Sequence, residues 1–436
     1  MSSLLFIIML AYTLVWFSIN IYNIFPLINY YIVGRRKEDK PDYVLPKDLP
    51  SISILIPAYR EELVLGNCIS RIFESDYPTE LLDVIILTER DDQGTMAIAH
   101  ELSKKYGIKH VQVEESTEPK GKPRALNFGL RHVRGDIVGV IDAEDIIAKE
   151  LFREVALMMS SGYDAVQGVL DMVNDRDGYM NMHLRAEYRY WYHTYLPALQ
   201  YSNFPIPLGG TTNFFRRSVL KDLEGWDPYN VTEDFELGLR LYNERKRVGN
   251  IYDMLKDRRA QSIFRNNYKF SLLESVTQEE SPTTMSGWLR QRTRWQRGKI
   301  QTFRKIAKKP PQAATSKLHS IMMSLIPHLG PINLTGIAYS LYIFFSGISI
   351  PVYLYYIFGF NMSMIAFYCV ANAYSYFNVV GRTRNRRFLG AIFIGITTLV
   401  YWVMQWMADV RAIKHEYIGS KVFWEKTDHS GVHMKG

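Results

Sequence analysis

The chain has 436 residues, of which 47% are hydrophobic and 22% charged, with a formal net charge of +8 at pH 7. That length exceeds what one compact domain usually needs, and the composition excludes a disordered or collagen-like chain. Two cysteines, Cys68 and Cys369, lie in regions of different character, which argues against a disulfide framework and leaves no cysteine-based metal site. The positive charge suits nucleic acid, an anionic membrane surface or a phosphorylated substrate, so its distribution has to decide.

Residues 4–25 are almost wholly apolar, about the 20 residues needed to cross a bilayer. No basic residue precedes them and no small-residue cleavage site follows, so a retained span is expected rather than a signal peptide. Arg35, Arg36, Lys37 and Lys40 come next, and the positive-inside rule places the segment that follows in the cytosol.

Residues 50–310 read as an α/β domain. SISILIPAY, DVIILTE, DIVGVIDAED and YDAVQGVL are short β-branched runs, with helical spacing between the first three. This alternation predicts a mostly parallel, twisted sheet with helices on both faces, in which ligands bind beyond the carboxyl ends of the strands. The polar clusters at 59–62, 89–92 and 142–145 fall at those ends.

Four motifs there carry chemistry. DAED places Asp142, Glu144 and Asp145 after an apolar strand, where uncompensated carboxylates are too costly for a core; they suit a divalent cation or, equally, a solvated helix start. KGKPRALNFGL sets Lys120, Lys122 and Arg124 in a loop before a helix, fit for a diphosphate or simply exposed. In VTEDFELGLRL, Thr232 is predicted to cap a helix whose first turn carries Glu233, Asp234 and Glu236. QRTRWQRGKIQT crowds Arg292, Arg294, Arg297 and Lys299 around Trp295, a pattern that also suits an interfacial helix.

The second apolar region, 318–410, contains stretches at 332–360, 362–380 and 389–407, punctuated by Pro351, Asn361 and the basic run GRTRNRR. At least three spans are expected there, and four to five in all. The segment 317–331 is amphipathic and reads as interfacial. The expected divisions are a first span at 1–33, a cytosolic catalytic domain at 45–310, membrane and interface helices at 316–410 and a tail at 411–436.

The ordered set IPAYREE, LTERDD, GKPRALNFGL, DAED, LGGTTNFFR, GWDPYNVTEDFELG and QRTRW resembles the membrane-embedded family 2 glycosyltransferases of the cellulose-synthase-like kind. The tail FWEKTDHSG looks like the ending of a bacterial subgroup of them. The resemblance implies a GT-A fold beside a transmembrane helical bundle, with Mg2+ or Mn2+ as cofactor. Tyr59, Glu61 and Glu89 would then contact the uridine of a UDP-sugar, and Lys122 and Arg124 its diphosphate. Asp142 matches the first acid of the family's D-x-D motif, with Glu144 or Asp145 as the second metal ligand. Asp234, beside Glu233, matches the general base of T-E-D. Gln291, Arg294 and Trp295 match Q-x-x-R-W, the Arg facing the diphosphate and the Trp under the acceptor sugar, and Gly209, Gly210 and Thr211 match a loop near the acceptor.

Displacing a diphosphate from an anomeric carbon needs one base and one charge clamp, and direct displacement inverts that centre. The expected protein is therefore a multi-pass, membrane-bound inverting enzyme that extends a β-linked glycan processively, with single transfer to a polyprenyl phosphate or other lipid as the alternative. Its partners are the donor, a glycan or lipid-linked acceptor and the bilayer, not nucleic acid. The basic stretch 244–270 departs from the family pattern and reads as a solvated or membrane-surface loop.

Overall fold

The run ISILIPA is buried at every position, as a strand covered on both faces must be. It is β1 (Ile52–Ala58), near the middle of a seven-stranded sheet. The computed structural model describes residues 3–33, 45–174, 178–244, 268–311, 313–347, 349–379 and 383–418. In chain order the elements are α1 (Ser3–Ile28), β1, α2 (Leu65–Phe73), β2 (Leu82–Glu89), α3 (Gln93–Tyr106), β3 (Lys109–Val113), α4 (Lys122–Gly129), β4 (Ile137–Val140) and α5 (Leu151–Ser160). There follow β5 (Ala165–Met172), α6 (Tyr179–Tyr190), α7 (Leu196–Tyr201), β6 (Asn213–Arg216), α8 (Arg217–Asp222), α9 (Glu233–Asn243), β7 (Phe270–Glu279) and α10 (Met285–Lys308). Four helices end the described chain: α11 (Ala314–Leu325), α12 (Leu329–Ser346), α13 (Val352–Phe377) and α14 (Arg384–Tyr417).

The strand order is β3-β2-β1-β4-β6-β5-β7, parallel throughout except that β6 runs antiparallel to both β4 and β5. The four strands read from apolar runs are present; β3, β6 and β7 come in addition. Helices cover both faces. Ile52, Ile54, Ile56, Val84 and Ile86 pack against Leu65, Ile69, Ala99 and Phe152 from α2, α3 and α5. Leu55, Ile85 and Leu87 face the opposite way, onto Leu126, Leu220 and Leu237 from α4, α8 and α9. This period-two division sets the direction of every strand end, and so the position of the polar turns beyond β1, β2 and β4.

Among the described residues three helices are long and apolar enough to cross a membrane: residues Ile7–Ile32, Val352–Phe377 and Arg384–Tyr417. The pair α11 and α12, bent by 73°, brings the number to four if it counts as one span. This corrects the division expected at 332–360 and 362–380. Asn361 does not break a helix but lies inside α13, buried, accepting a hydrogen bond from Asn20 Nδ2 at 2.9 Å. A polar side chain satisfied by a neighbouring helix is a packing contact rather than a terminus. Trp16 Nε1 donates to Asn333 Oδ1 at 2.7 Å and Asn23 Nδ2 to the Tyr368 hydroxyl at 2.6 Å, so α1 is bonded to α12 and α13. The basic residues at 35–40, the stretch 245–267 and the tail from 419 onward lie outside the described residues.

Gly135, which leads into β4, donates its N–H to Ser53 Oγ at 2.8 Å, and a Cβ there would stand 2.5 Å from the Ser53 nitrogen. That neighbour is backbone inside a central strand and cannot yield. Gly135→Ala is expected to destabilise the domain by about 1–3 kcal/mol, measured as a lowered unfolding temperature.

Candidate active site

The turn beyond β4 is held by its own last acid. Asp145 is 1% exposed, and its Oδ2 accepts from the Asp142 N–H at 2.9 Å and from the Thr211 hydroxyl. This corrects the expectation that no DAED acid enters the core: burial is tolerated because two donors meet one oxygen. Its Oδ1 is buried with no hydrogen-bond partner among the described residues. Asp142 and Glu144 are left facing a cavity.

Lys122 is not in a loop but is the first residue of α4, ahead of Pro123, where a missing N–H is no loss. Its ammonium donates to Asp142 Oδ1 and, at 2.7 Å, to the Gly210 carbonyl. Burial works against that charge, but Asp142, Glu233 and Asp234 outweigh it and hold the lysine pKa above its ordinary value. Glu233 and Asp234 open α9. A Cβ on Gly210 would stand 3.6 Å from Asp234 Oδ2 and 3.7 Å from Lys122 Nζ, which places this loop against both groups. Thr232 occupies the N-cap position, yet its side chain caps nothing; the hydroxyl turns back to Asn230 Oδ1 at 3.3 Å.

Burial pushes Glu233 up to about 7, helped by the adjacent Asp234 charge. Asp234 is also raised by burial, against the pull of the Phe235 N–H, Lys122 and Arg294. Glu279, at the end of β7, is raised by burial and then by the charges of Glu144 and Asp142. The site thus holds more carboxylates than its cations can neutralise.

From α10, Gln291, Arg294 and Trp295 line the same cavity, and Gln291 Oε1 and Arg294 Nε are buried without a partner. The Arg292 guanidinium lies 4.7 Å from the centre of the Trp295 ring. Arg292 is in turn bonded to Glu187 on α6, which also accepts from the Tyr401 hydroxyl at 3.0 Å and Gln405 Nε2 at 2.6 Å. Sequence reasoning missed Glu187 and Glu279. The aromatic run around Glu187 and the acid pair in SVTQEESP were the only marks they left.

The cavity, of about 400 Å3, is continuous. One end is lined by Glu61, Lys122, Asp142, Glu144, Asp234 and Arg294, with Gly209, Gly210 and Thr211 beside them. The other is lined by Tyr190, Met323, Ile326, Leu329, Tyr368 and Trp402, reaching the long apolar helices. Besides the buried Asp145, three expected site residues do not line it. Glu89 and Arg124 form a buried ion pair at 2.6 Å, which uses both charges to join β2 to α4. Tyr59 lies under the Lys120 ammonium, 3.9 Å from the ring centre, and donates to Asp91 at 3.2 Å.

Among the described residues no group of three or more His, Cys, Asp or Glu side chains is already arranged to hold a metal ion. The donor chemistry nevertheless fits a hard divalent cation. Asp142, Glu144 and Glu279 offer only oxygen, the Glu144 charge adds to the burial that raises the pKa of the other two, and substrate phosphates can complete such a shell.

A family model described as glycosyltransferase like family 2 matches residues 50–298. The chain is 30% identical over 256 residues to the probable glycosyltransferase YdaM of Bacillus subtilis, covering 58% of this chain and 56% of that one. It is 27% identical to a beta-monoglucosyldiacylglycerol synthase of Synechocystis, covering 58% of this chain and 49% of the other. The chain therefore spans about half the length of these relatives. Similarity to a poly-beta-1,6-N-acetyl-D-glucosamine synthase of Staphylococcus epidermidis is 20% but covers 88% of this chain and 89% of that one. The fold is shared with a mannosyltransferase of Pyrobaculum calidifontis solved with GDP-Man and Mn2+, at TM-score 0.53 and 19% identity over 94% of this chain and 100% of that one.

Because Glu233 binds its proton more tightly folded than unfolded, it contributes stability that is present below about pH 4.5 and lost as pH rises through about 7. Glu233→Gln is expected to flatten that part of the pH–stability curve, read as unfolding temperature against pH.

Proposed function

The chain belongs to glycosyltransferase-like family 2, and on that premise we propose that it transfers sugar from a UDP-sugar to the growing end of a β-linked glycan. It extends that glycan processively and passes it toward its own membrane helices, with the catalytic domain facing the cytosol. The observation that carries this reading is the single cavity joining the charged cluster to the membrane helices, with Trp295 on its wall.

Asp234 takes the proton of the acceptor hydroxyl as its oxygen attacks the anomeric carbon and the bond to the diphosphate breaks. Burial raises its pKa, which makes it the stronger base for that proton. Attack opposite the leaving group inverts the centre, so an α-linked donor gives a β-linkage. Arg294, whose Nε has no partner, and Lys122 hold the charge that grows on the diphosphate. Held by Asp142 and Glu144, a divalent cation such as Mg2+ or Mn2+ supplies further neutralisation of that diphosphate. Trp295, braced by Arg292, offers a flat face to the acceptor ring. The 209–211 loop borders the acceptor, and Glu61 and Gln291 the donor. Tyr59, at the rim with Lys120, is left for the base of the nucleotide.

A second reading is supported by two observations: the apolar membrane end of the cavity, and relatives named as glucosyldiacylglycerol synthases. In it one sugar is added to a lipid.

The test is release of nucleoside diphosphate by the lipid-reconstituted protein across UDP- and GDP-sugars with Mg2+ or Mn2+, followed by sizing of the product. One UDP-sugar is expected to be consumed and a long polymer formed. Asp234→Asn should lower the rate by about 10²–10⁴-fold. A product carrying one sugar per lipid favours the second reading.

A further inference from the structure

On the opposite side of the Q-x-x-R-W helix lies another cavity, of about 420 Å3, that the reaction does not use. Arg297, Gln301, Arg304 and Lys308 recur along one face of α10 and form one wall; Asn230 and Asp227 form the floor. Glu416, near the end of α14, closes it.

We propose that this cavity binds a phosphate oxyanion, presented by an anionic lipid headgroup at the membrane surface. The cavity is already organised around one oxyanion. Glu416 Oε2 accepts from Arg297 Nε and Gln301 Nε2, each at 3.1 Å, and its Oε1 accepts from Arg304. Two guanidiniums and an amide converging on one carboxylate are the donor set that also suits a phosphate. Positive charge remains in excess: Arg297, Arg304, Lys305 and Lys308 face only Asp227 and Glu416 in the lining. Lys305 is committed to Asp227 at 2.9 Å and Glu236 at 2.7 Å, whereas Lys308 has no ion pair among the described residues. The place fits a headgroup, because Glu416 follows the apolar stretch of α14, in turns that also carry Arg411 and Lys414.

The site backs directly onto the segment that presents Asp234. Asn230 Nδ2 donates to Thr302 Oγ1 at 2.8 Å, the Val231 N–H donates to Gln301 Oε1 at 3.1 Å, and a Cβ on Gly298 would meet the Thr232 side chain. A bound phosphate therefore steadies the wall on which the catalytic loop rests, tying turnover to the surrounding lipid.

The experiment measures binding, not sugar transfer, so its failure is separate from failure of the proposed reaction. The full chain, in vesicles of phosphatidylcholine with increasing phosphatidylglycerol, is analysed by native mass spectrometry for retained phosphatidylglycerol, with inorganic phosphate as a separate competing probe. One tightly held phosphatidylglycerol is expected, with affinity about tenfold weaker in Lys308→Gln and weaker again in Arg304→Gln/Lys308→Gln. Lys308→Gln breaks no ion pair among the described residues, so it remains informative if the double variant is unstable. Variant-sensitive binding of inorganic phosphate without lipid retention upholds the oxyanion site but makes its source soluble and overturns the lipid. Equal retention of both probes by wild type and variants overturns the site.

Discussion

Lys122 is the cation on which the rest of the site depends. It bonds the turn beyond β4 through Asp142 and the 209–211 loop through Gly210, and its charge bears on both acids that open α9. Buried carboxylates at this density repel one another and lose hydration, so they stay together only around a counter-charge. One ammonium does not meet the whole demand, as the raised pKa values of Asp142, Glu233, Asp234 and Glu279 record. Elsewhere in the domain buried and part-buried acids sit in ion pairs, such as Glu89 with Arg124 at 2.6 Å and Asp171 with Arg185 at 3.1 Å. The unmatched negative surplus marks where a cation would be received.

The second constraint is the joining of this cluster to the membrane helices. α10 carries Gln291, Arg294 and Trp295 on one face and packs along α14. Glu187 ties that contact together, since it bonds Arg292 of α10 as well as Tyr401 and Gln405 of α14. The ring that would carry the acceptor is thereby positioned by a helix long and apolar enough to span a membrane. On the far side, amide hydrogen bonds such as Asn20 to Asn361 fix α1 against α13, as polar side chains do between apolar helices.

Much of this architecture was legible in the sequence, and the exceptions have physical reasons. β1, β2, β4 and β5 are apolar nearly throughout and announce themselves. β7 alternates buried and exposed residues and β6 has only four residues, so neither stands out from helix or loop. Asp234, Lys122, Asp142, Arg294 and Trp295 converge on one cavity as their motifs imply. Arg124 and Glu89 carry the right charges but spend them on each other, which only three-dimensional pairing reveals. Asn361 and Thr232 mislead for a related reason: a residue type that ends or caps helices elsewhere is here satisfied by a partner distant in sequence or in a preceding turn. Glu187 left only the aromatic run around it, because its partners come from α10 and α14, more than 100 residues away.

The central claim is that one cavity takes the donor at its charged end and leads the acceptor toward the membrane. The most direct measurement is a cryo-electron microscopy structure of the lipid-embedded protein frozen during turnover with its donor sugar and Mn2+. The account predicts a chain of sugar rings starting on the Trp295 face and continuing between Tyr190, Tyr368 and Trp402. Acyl-chain density filling that passage, with a single sugar at Trp295, would contradict it.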